Sequence, residues 1–247
     1  LPEGLEVAVT ARAERAKPLT LRWEGGESSV ELPAPDNGSA PGPGQGTVHR
    51  VNVPGDVGYV DVVNNVGSVM VPGGYGADRG YQEVDSGQYE QGEDVFLMCG
   101  CAVILRTDAL RQVGFFDDDF FLYYEDTDLS WRLRSAGWGI RYDPAPVVRH
   151  LHSASSGEWS PLFTFHVERN RLLTLVKNAS ARMASGQFFR FNVTTLSQLR
   201  WELMQAVRDR RRPGVRPLLL RLRVTGSYLR LLPRMLARRR QVKRARQ

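Results

Sequence analysis

Only two cysteines occur in the 247 residues, Cys99 and Cys101, with a single residue between them. Thiols that close along the chain make no disulfide framework, and they fall short of a four-ligand zinc pattern; a reducing compartment follows. Long apolar runs are also missing. No stretch of about 18 uncharged apolar residues is present to span a bilayer as a helix. The chain opens on Leu1 without the basic-then-apolar start of a secretory signal, and the missing Met sets the expectation of a piece of something longer. Acidic residues all but vanish after residue 181: residues 182–247 hold 18 Lys and Arg against two Asp and Glu, whereas residues 1–181 hold 15 against 25. The formal charge of +6 therefore conceals an acidic body and a basic last quarter, which call for different partners.

What is present divides the chain. Alternation of apolar and polar residues predicts short strands at 5–9, 19–23 and 29–32, with Gly25-Gly26 as a turn. The stretch 33–46 is rich in Pro and Gly and reads as a loop or linker, so a boundary is expected near residue 47. Residues 57–71 are strand-like again, and 72–92 form a Gly- and Tyr-rich loop. The nearly continuous apolar run at 95–105 predicts a strand buried on both faces. Thr107 can cap a short helix that Gly114 ends. Glu125-Asp126-Thr127-Asp128, followed by Leu129, Leu133 and Ala136 at helical spacing and then Gly137, gives a helix with an acidic first turn and a glycine stop. Short strands at 139–142 and 147–151 and a helix at 162–177 complete an α/β pattern.

Three carboxylates within four residues disfavour one another's ionisation, and the positive end of a helix dipole relieves part of that cost. Helix capping alone is one account of the cluster. The other is chemical: Phe120-Phe121-Leu122-Tyr123-Tyr124 precedes it, and a carboxylate held beside aromatic rings suits a general base for a sugar hydroxyl.

The run Gly114-Phe115-Phe116-Asp117-Asp118-Asp119-Phe120-Phe121-Leu122-Tyr123-Tyr124-Glu125-Asp126-Thr127-Asp128-Leu129-Ser130-Trp131-Arg132 resembles the acceptor-side signature of the family-2 inverting glycosyltransferases. Gly137-Trp138, Pro144, His150 and Arg169-Asn170-Arg171 follow in the same order, Cys99-Gly100 and Arg106 precede it, and Asn64-Asn65-Val66-Gly67 fits more loosely. The resemblance covers roughly residues 57–180. It implies a partial A-type glycosyltransferase fold, α/β with a mixed sheet and flanking helices, between an N-terminal strand-rich segment (1–46) and a C-terminal basic helical tail (182–247). The acceptor-side, catalytic-base region would occupy 47–181.

By the same resemblance Asp126 is the catalytic base, taking the proton from an acceptor hydroxyl in a single inverting displacement. Glu125, Asp128, Arg132, Cys99, Gly100 and Tyr124 would bind the acceptor or support the base, with Arg132 holding carboxylates rather than substrate. The donor would be a nucleotide sugar, and the acceptor a glycan or lipid-linked saccharide of the cell envelope. The family's Mg2+ or Mn2+ sits on the nucleotide diphosphate, and His150 matches a position that helps hold it in some members. A histidine ending a strand is otherwise ordinary hydrogen-bonded structure. His152 is a second candidate of that kind, and Ser153, Ser155 and Ser156 are candidates to line the acceptor or diphosphate. Neither Asp126-Thr127-Asp128 nor Asp117-Asp118-Asp119 stands where the family places its metal-binding Asp-x-Asp, so the nucleotide-binding half is expected to precede residue 1.

Four readings apply to the basic tail: a solvated charged face, nucleic-acid binding, a membrane surface, or packing against a partner. No nucleic-acid reading motif accompanies the charge, which argues against nucleic acid. Interleaved Leu and Arg favour an anionic membrane surface, and with it a peripheral place at the cytoplasmic face of the membrane. A non-catalytic acceptor-binding module, or a membrane or nucleic-acid adaptor, is the alternative to an enzyme.

Overall fold

Alternating apolar residues give the N-terminal strands their pairing in the computed structural model, which describes residues 5–11, 17–23, 26–32, 47–53, 61–150 and 160–245. These fall in two compact units, Leu1–Asp61 and Val62–Gln247. In the first unit, β1 (Leu5–Ala11) and β2 (Lys17–Trp23) each have an antiparallel partner. β2 pairs with β3 (Gly26–Leu32), placing Leu19 opposite Val30. β1 pairs with β4 (Thr47–Val53), placing Leu5 opposite Val53 and Val7 opposite Val51. All three expected strands are there. The fourth was not foreseen, although Val48, Val51 and Val53 carry it, so the strand-rich unit continues beyond the Pro- and Gly-rich stretch.

In the second unit, β5 (Ser68–Val71), the end of the stretch expected to be strand-like, and β6 (Tyr75–Asp78), inside the segment expected to be loop, form an antiparallel hairpin. Its turn requires glycine. Gly74 has φ +80°, and a Cβ there would lie 2.7 Å from Cδ2 of Leu175, so any side chain would collide with the helix behind it. Next come β7 (Glu93–Asp94), α1 (Thr107–Val113), α2 (Glu125–Ser135) and β8 (Arg141–Tyr142), with β8 antiparallel to β7. Thr107 begins α1 but does not cap it, since Arg106 is the N-cap residue; Gly114 ends it as expected. The strand expected at 147–150 is absent, and residue 151 lies outside the described residues.

The doubly buried strand at 95–105 is not formed. Val95, Leu97 and Met98 are buried, but Ile104 is fully exposed. The reason lies in the backbone donors. The N–H of Met98 is taken by Oγ of Ser130 at 3.0 Å, that of Gly100 by the Asp126 carboxylate, and that of Ala102 by the carbonyl of Cys99. Groups committed to α2 side chains and a turn are not available to a neighbouring strand. The architecture is thus mixed α/β with five helices, and among the described residues every sheet has two strands; the expected mixed sheet is not among them.

Three long helices complete the unit: α3 (Pro161–Asn178), α4 (Ala181–Arg208) and α5 (Arg216–Ala245). α3 is buried on all sides from Arg169 to its end, which marks it as the central helix. Leu172, Leu173, Leu175 and Val176 pack with Phe120, Phe191 of α4, and Val224, Tyr228, Leu231 and Met235 of α5. A second cluster joins Val95, Met98, Ala109, Leu129, Leu133 and Ile140. The basic last quarter is therefore no appended tail; one face of it is core. Pro213 lies between α4 and α5, Pro217 sits harmlessly in the first turn of α5, and Pro233 lies within α5 without ending it. Burial of Leu231 and Met235 on either side offsets the one backbone hydrogen bond that Pro233 removes.

Candidate active site

The acidic cluster is aimed by two consecutive residues in the left-handed region, Tyr123 (φ 63°) and Tyr124 (φ 70°). Each costs on the order of 1–2 kcal/mol for a residue with a side chain, so the surroundings must hold them. α3 does so. Nδ2 of the fully buried Asn170 donates to the carbonyls of Leu122 (2.8 Å) and Tyr123 (2.7 Å). Arg169 donates to the carbonyl of Asp119 at 3.0 Å, and Arg171 to that of Gly73 at 2.7 Å while lying 4.2 Å above the Tyr75 ring. The Tyr124 hydroxyl donates to the Gly74 carbonyl and accepts from the Gly76 N–H. Arg169-Asn170-Arg171 and the β5–β6 hairpin thus form the frame of the turn that starts α2.

Asp126 stands in the first turn of α2. One carboxylate oxygen accepts the Gly100 N–H at 3.0 Å; the other accepts the Thr127 N–H at 2.6 Å and its hydroxyl at 3.2 Å. Burial pushes its pKa above the usual aspartate range. The hydrogen bonds from Gly100 and Thr127 oppose that shift, and the charge of nearby Asp78 reinforces it. Asp78 is itself held by Asn65 and Ser68. Glu125 is raised as well, first by burial and then by Asp126; its Oε2 is buried and meets no donor among the described residues. A carboxylate that is fixed in orientation and raised towards neutrality is equipped to accept a proton.

Asp128 belongs elsewhere. It is 0% exposed and lies among Arg132 Nε (2.9 Å), Lys177 Nζ (2.8 Å) and Asn178 Nδ2 (2.8 Å). Lys177 also reaches Asp117 at 2.7 Å, and Arg238 of α5 joins Asp117 and Asp119. A carboxylate sealed into that network cannot meet an acceptor, so Asp128 supports the helix and has no part in binding. Arg132, as expected, holds a carboxylate, and it also donates to the carbonyls of Val113, Gly114 and Phe115.

Cys99 and Cys101 are free thiols with sulfurs 3.1 Å apart. Burial pushes the Cys99 thiol up to about 12. Gly100 between them has a specific use, because a Cβ there would lie 3.2 Å from the Asp126 carboxylate oxygen. His150 is exposed, with Nδ1 2.9 Å from Oδ1 of Asn64; His152, Ser153, Ser155 and Ser156 lie outside the described residues. Among the described residues no three His, Cys, Asp or Glu side chains gather as a metal site. Asp117, Asp119 and Asp128 are held by cations instead, so these residues do not by themselves fit the expected metal. Sequence reasoning missed Thr127, Ser130 and Lys177. The first two stand one and four residues after Asp126 on α2, and that placement was the available signal.

Residues 82–171 match the family described as Glycosyl transferase family group 2. Over 60 residues the chain is 42% identical to N-acetylglucosaminyl-diphospho-decaprenol L-rhamnosyltransferase of Mycobacterium tuberculosis, a match covering 24% of this chain and 20% of that relative. Over 58 residues it is 41% identical to pre-mycofactocin glycosyltransferase of the same organism, covering 24% and 12%. The match therefore spans about a fifth or less of the length of these curated relatives. No solved structure matches the chain.

Proposed function

We propose, on the premise that residues 82–171 are a family-2 glycosyltransferase region, that Asp126 is the general base of an inverting sugar transfer. The acceptor hydroxyl gives its proton to the Asp126 carboxylate as its oxygen bonds to the anomeric carbon. The bond from that carbon to the diphosphate breaks on the opposite face, and the nucleoside diphosphate leaves with the electron pair. One displacement inverts the anomeric centre. The observation that carries this reading is the Asp126 carboxylate itself, oriented by Gly100 and Thr127 and raised in pKa by burial. Glu125 stands beside it at the start of the helix, and in this reading it helps to bind the acceptor. Tyr124 and Arg132 keep the helix start where it is.

The donor in this proposal is a nucleotide sugar, with Mg2+ or Mn2+ neutralising its diphosphate; none of the steps given to this chain's residues runs through the metal. The acceptor is a glycan or lipid-linked saccharide of the cell envelope. One relative's name supports a lipid-linked acceptor, since it specifies a saccharide on a decaprenyl diphosphate. A place at the cytoplasmic face of the membrane goes with such an acceptor. The outward face of α4 supports it: Phe189, Leu196, Trp201 and Val207 are exposed among Arg190, Arg200 and Arg208, and that mixture suits an anionic interface. Among the described residues no helix is long and apolar enough to cross a membrane.

Product stereochemistry tests the reading. The anomeric configuration of the transferred sugar, followed by NMR from a donor of known configuration, should be inverted in the first product formed. Retention would exclude a single displacement from the face opposite the diphosphate, and with it the role proposed for Asp126.

A further inference from the structure

We infer that the groove between α3 and α5, with Phe165 on one side and Arg223 and Arg230 on the other, binds a phosphate or diphosphate ester. The groove has a volume of about 280 Å3 and is lined by Phe165, Arg223, Gly226, Ser227 and Arg230. On α5 the residues Arg223, Ser227 and Arg230 stand at spacings of four and three, so two guanidinium groups and a hydroxyl share one helix face. That combination matches the several acceptor oxygens of a phosphate, which arginine binds through paired N–H donors.

The charge in the groove is unbalanced. Neither Arg223 nor Arg230 makes a salt bridge among the described residues, and α5 contains no Asp or Glu from Arg216 to Ala245. Glu168, on α3, pairs with Arg171, and Asp119 pairs with Arg234 and Arg238. A third cation adds to the excess. Arg169 on α3 lies 5.2 Å above the Phe165 ring and Arg223 lies 5.7 Å above it; burial disfavours the protonated form of Arg169, the Asp119 charge opposes that, and the charge of Arg230 adds to it. Like charges around a half-open ring repel unless an anion joins them. There is also room for one: a Cβ built on Gly226, between the two arginines, would meet nothing within 4 Å.

This site is separate from the transfer chemistry, because it uses neither Asp126 nor a donor sugar. Two sources can supply the same chemistry, the diphosphate of a soluble or lipid-linked ligand and the headgroup of an anionic phospholipid.

The test uses the whole protein in metal-free buffer with chelator, so that no metal-dependent diphosphate site contributes. Inorganic pyrophosphate is titrated calorimetrically, and sedimentation with phosphatidylglycerol vesicles is compared with phosphatidylcholine vesicles. The double variant Arg223→Gln/Arg230→Gln is set against Arg216→Gln/Arg240→Gln, which removes the same charge from exposed positions of α5 outside the groove. Circular dichroism confirms that both variants are folded. The expected result is that the groove variant loses pyrophosphate affinity by on the order of tenfold or more, the control staying within about twofold. Vesicle retention that pyrophosphate displaces assigns the site to headgroups; pyrophosphate binding without vesicle retention assigns it to a free or acceptor diphosphate. Absence of both kinds of binding in the wild type overturns the inference. Equal losses in the two variants overturn it too, since they would mean diffuse charge rather than a site.

Discussion

Nδ2 of Asn170 lies 2.7 Å from the carbonyl oxygen of Tyr123, so a side chain from the middle of α3 fixes the backbone of a left-handed residue two positions before the start of α2. The same nitrogen reaches the Leu122 carbonyl. Replacing Asn170 by Ala leaves two carbonyls without their donor and two strained residues without their restraint. The expected loss is about 2–4 kcal/mol of stability, read as a fall in the urea midpoint, with a disproportionate loss of activity. A variant as stable as wild type would show that the turn holds itself.

The acid sensitivity of the fold should trace to Asp117. Burial pushes this carboxyl up, but Lys177, Arg238 and the Asp119 N–H together outweigh that and hold it below the ordinary range. A depressed folded pKa contributes stability that is fully present above the unfolded value of about 3.9 and is lost as the pH falls through the folded value. Asp117→Asn should therefore be less stable than wild type by about 3 kcal/mol at pH 7, and the gap should narrow at pH 3. Equal gaps at the two pH values would remove Asp117 from the acid response.

The basic last quarter should behave as core on one face and surface on the other. Met235 is 0% exposed and Leu236, its neighbour, is 48% exposed. Met235→Ala should cost about 3 kcal/mol, and Leu236→Ala less than about 0.5 kcal/mol, by chemical denaturation. Similar small effects at both positions would mean that α5 is only appended.

How much of this was legible beforehand depended on whether the signal was local. α2 could be read from its acidic first turn, its stripe of Leu129 and Leu133, and the stop at Gly137; α3 likewise from its periodicity. The run at 95–105 could not, because an apolar stretch does not reveal that Ser130 and Asp126 will take its N–H groups. Asp128 looked like a partner of Asp126 because the residues that seal it, Lys177 and Asn178, lie about fifty positions away. In the last quarter the charge count masked a core stripe at Val224, Tyr228, Leu231 and Met235, spaced by four, three and four. Some of its cations are also part of the packing: Arg221 lies 4.0 Å above the Phe191 ring.

Gly100 tests whether the carboxylate is oriented as well as present. Gly100→Ala would place a Cβ 3.2 Å from the Asp126 oxygen it now serves, displacing the carboxylate by a few tenths of an ångström. The expected loss in kcat/KM is roughly 10- to 100-fold with the fold retained. The Gly100 N–H favours the ionised carboxylate, so weakening that bond raises the pKa, and the acid limb of the pH profile should move upward. An unchanged rate and profile would deny Gly100 its role.

The most direct measurement is sugar transfer by the whole protein with Asp126→Asn, compared with wild type and with Asp128→Asn at equal folded concentration. Asp126→Asn should keep its cooperative unfolding and lose activity by on the order of 100-fold or more, as removal of a general base predicts. Asp128→Asn, which breaks a buried ion cluster, should lose stability by about 3–5 kcal/mol and retain activity where it is folded. A folded Asp126→Asn protein that transfers sugar at the wild-type rate would contradict the account, because the carboxylate would then be only the first turn of a helix.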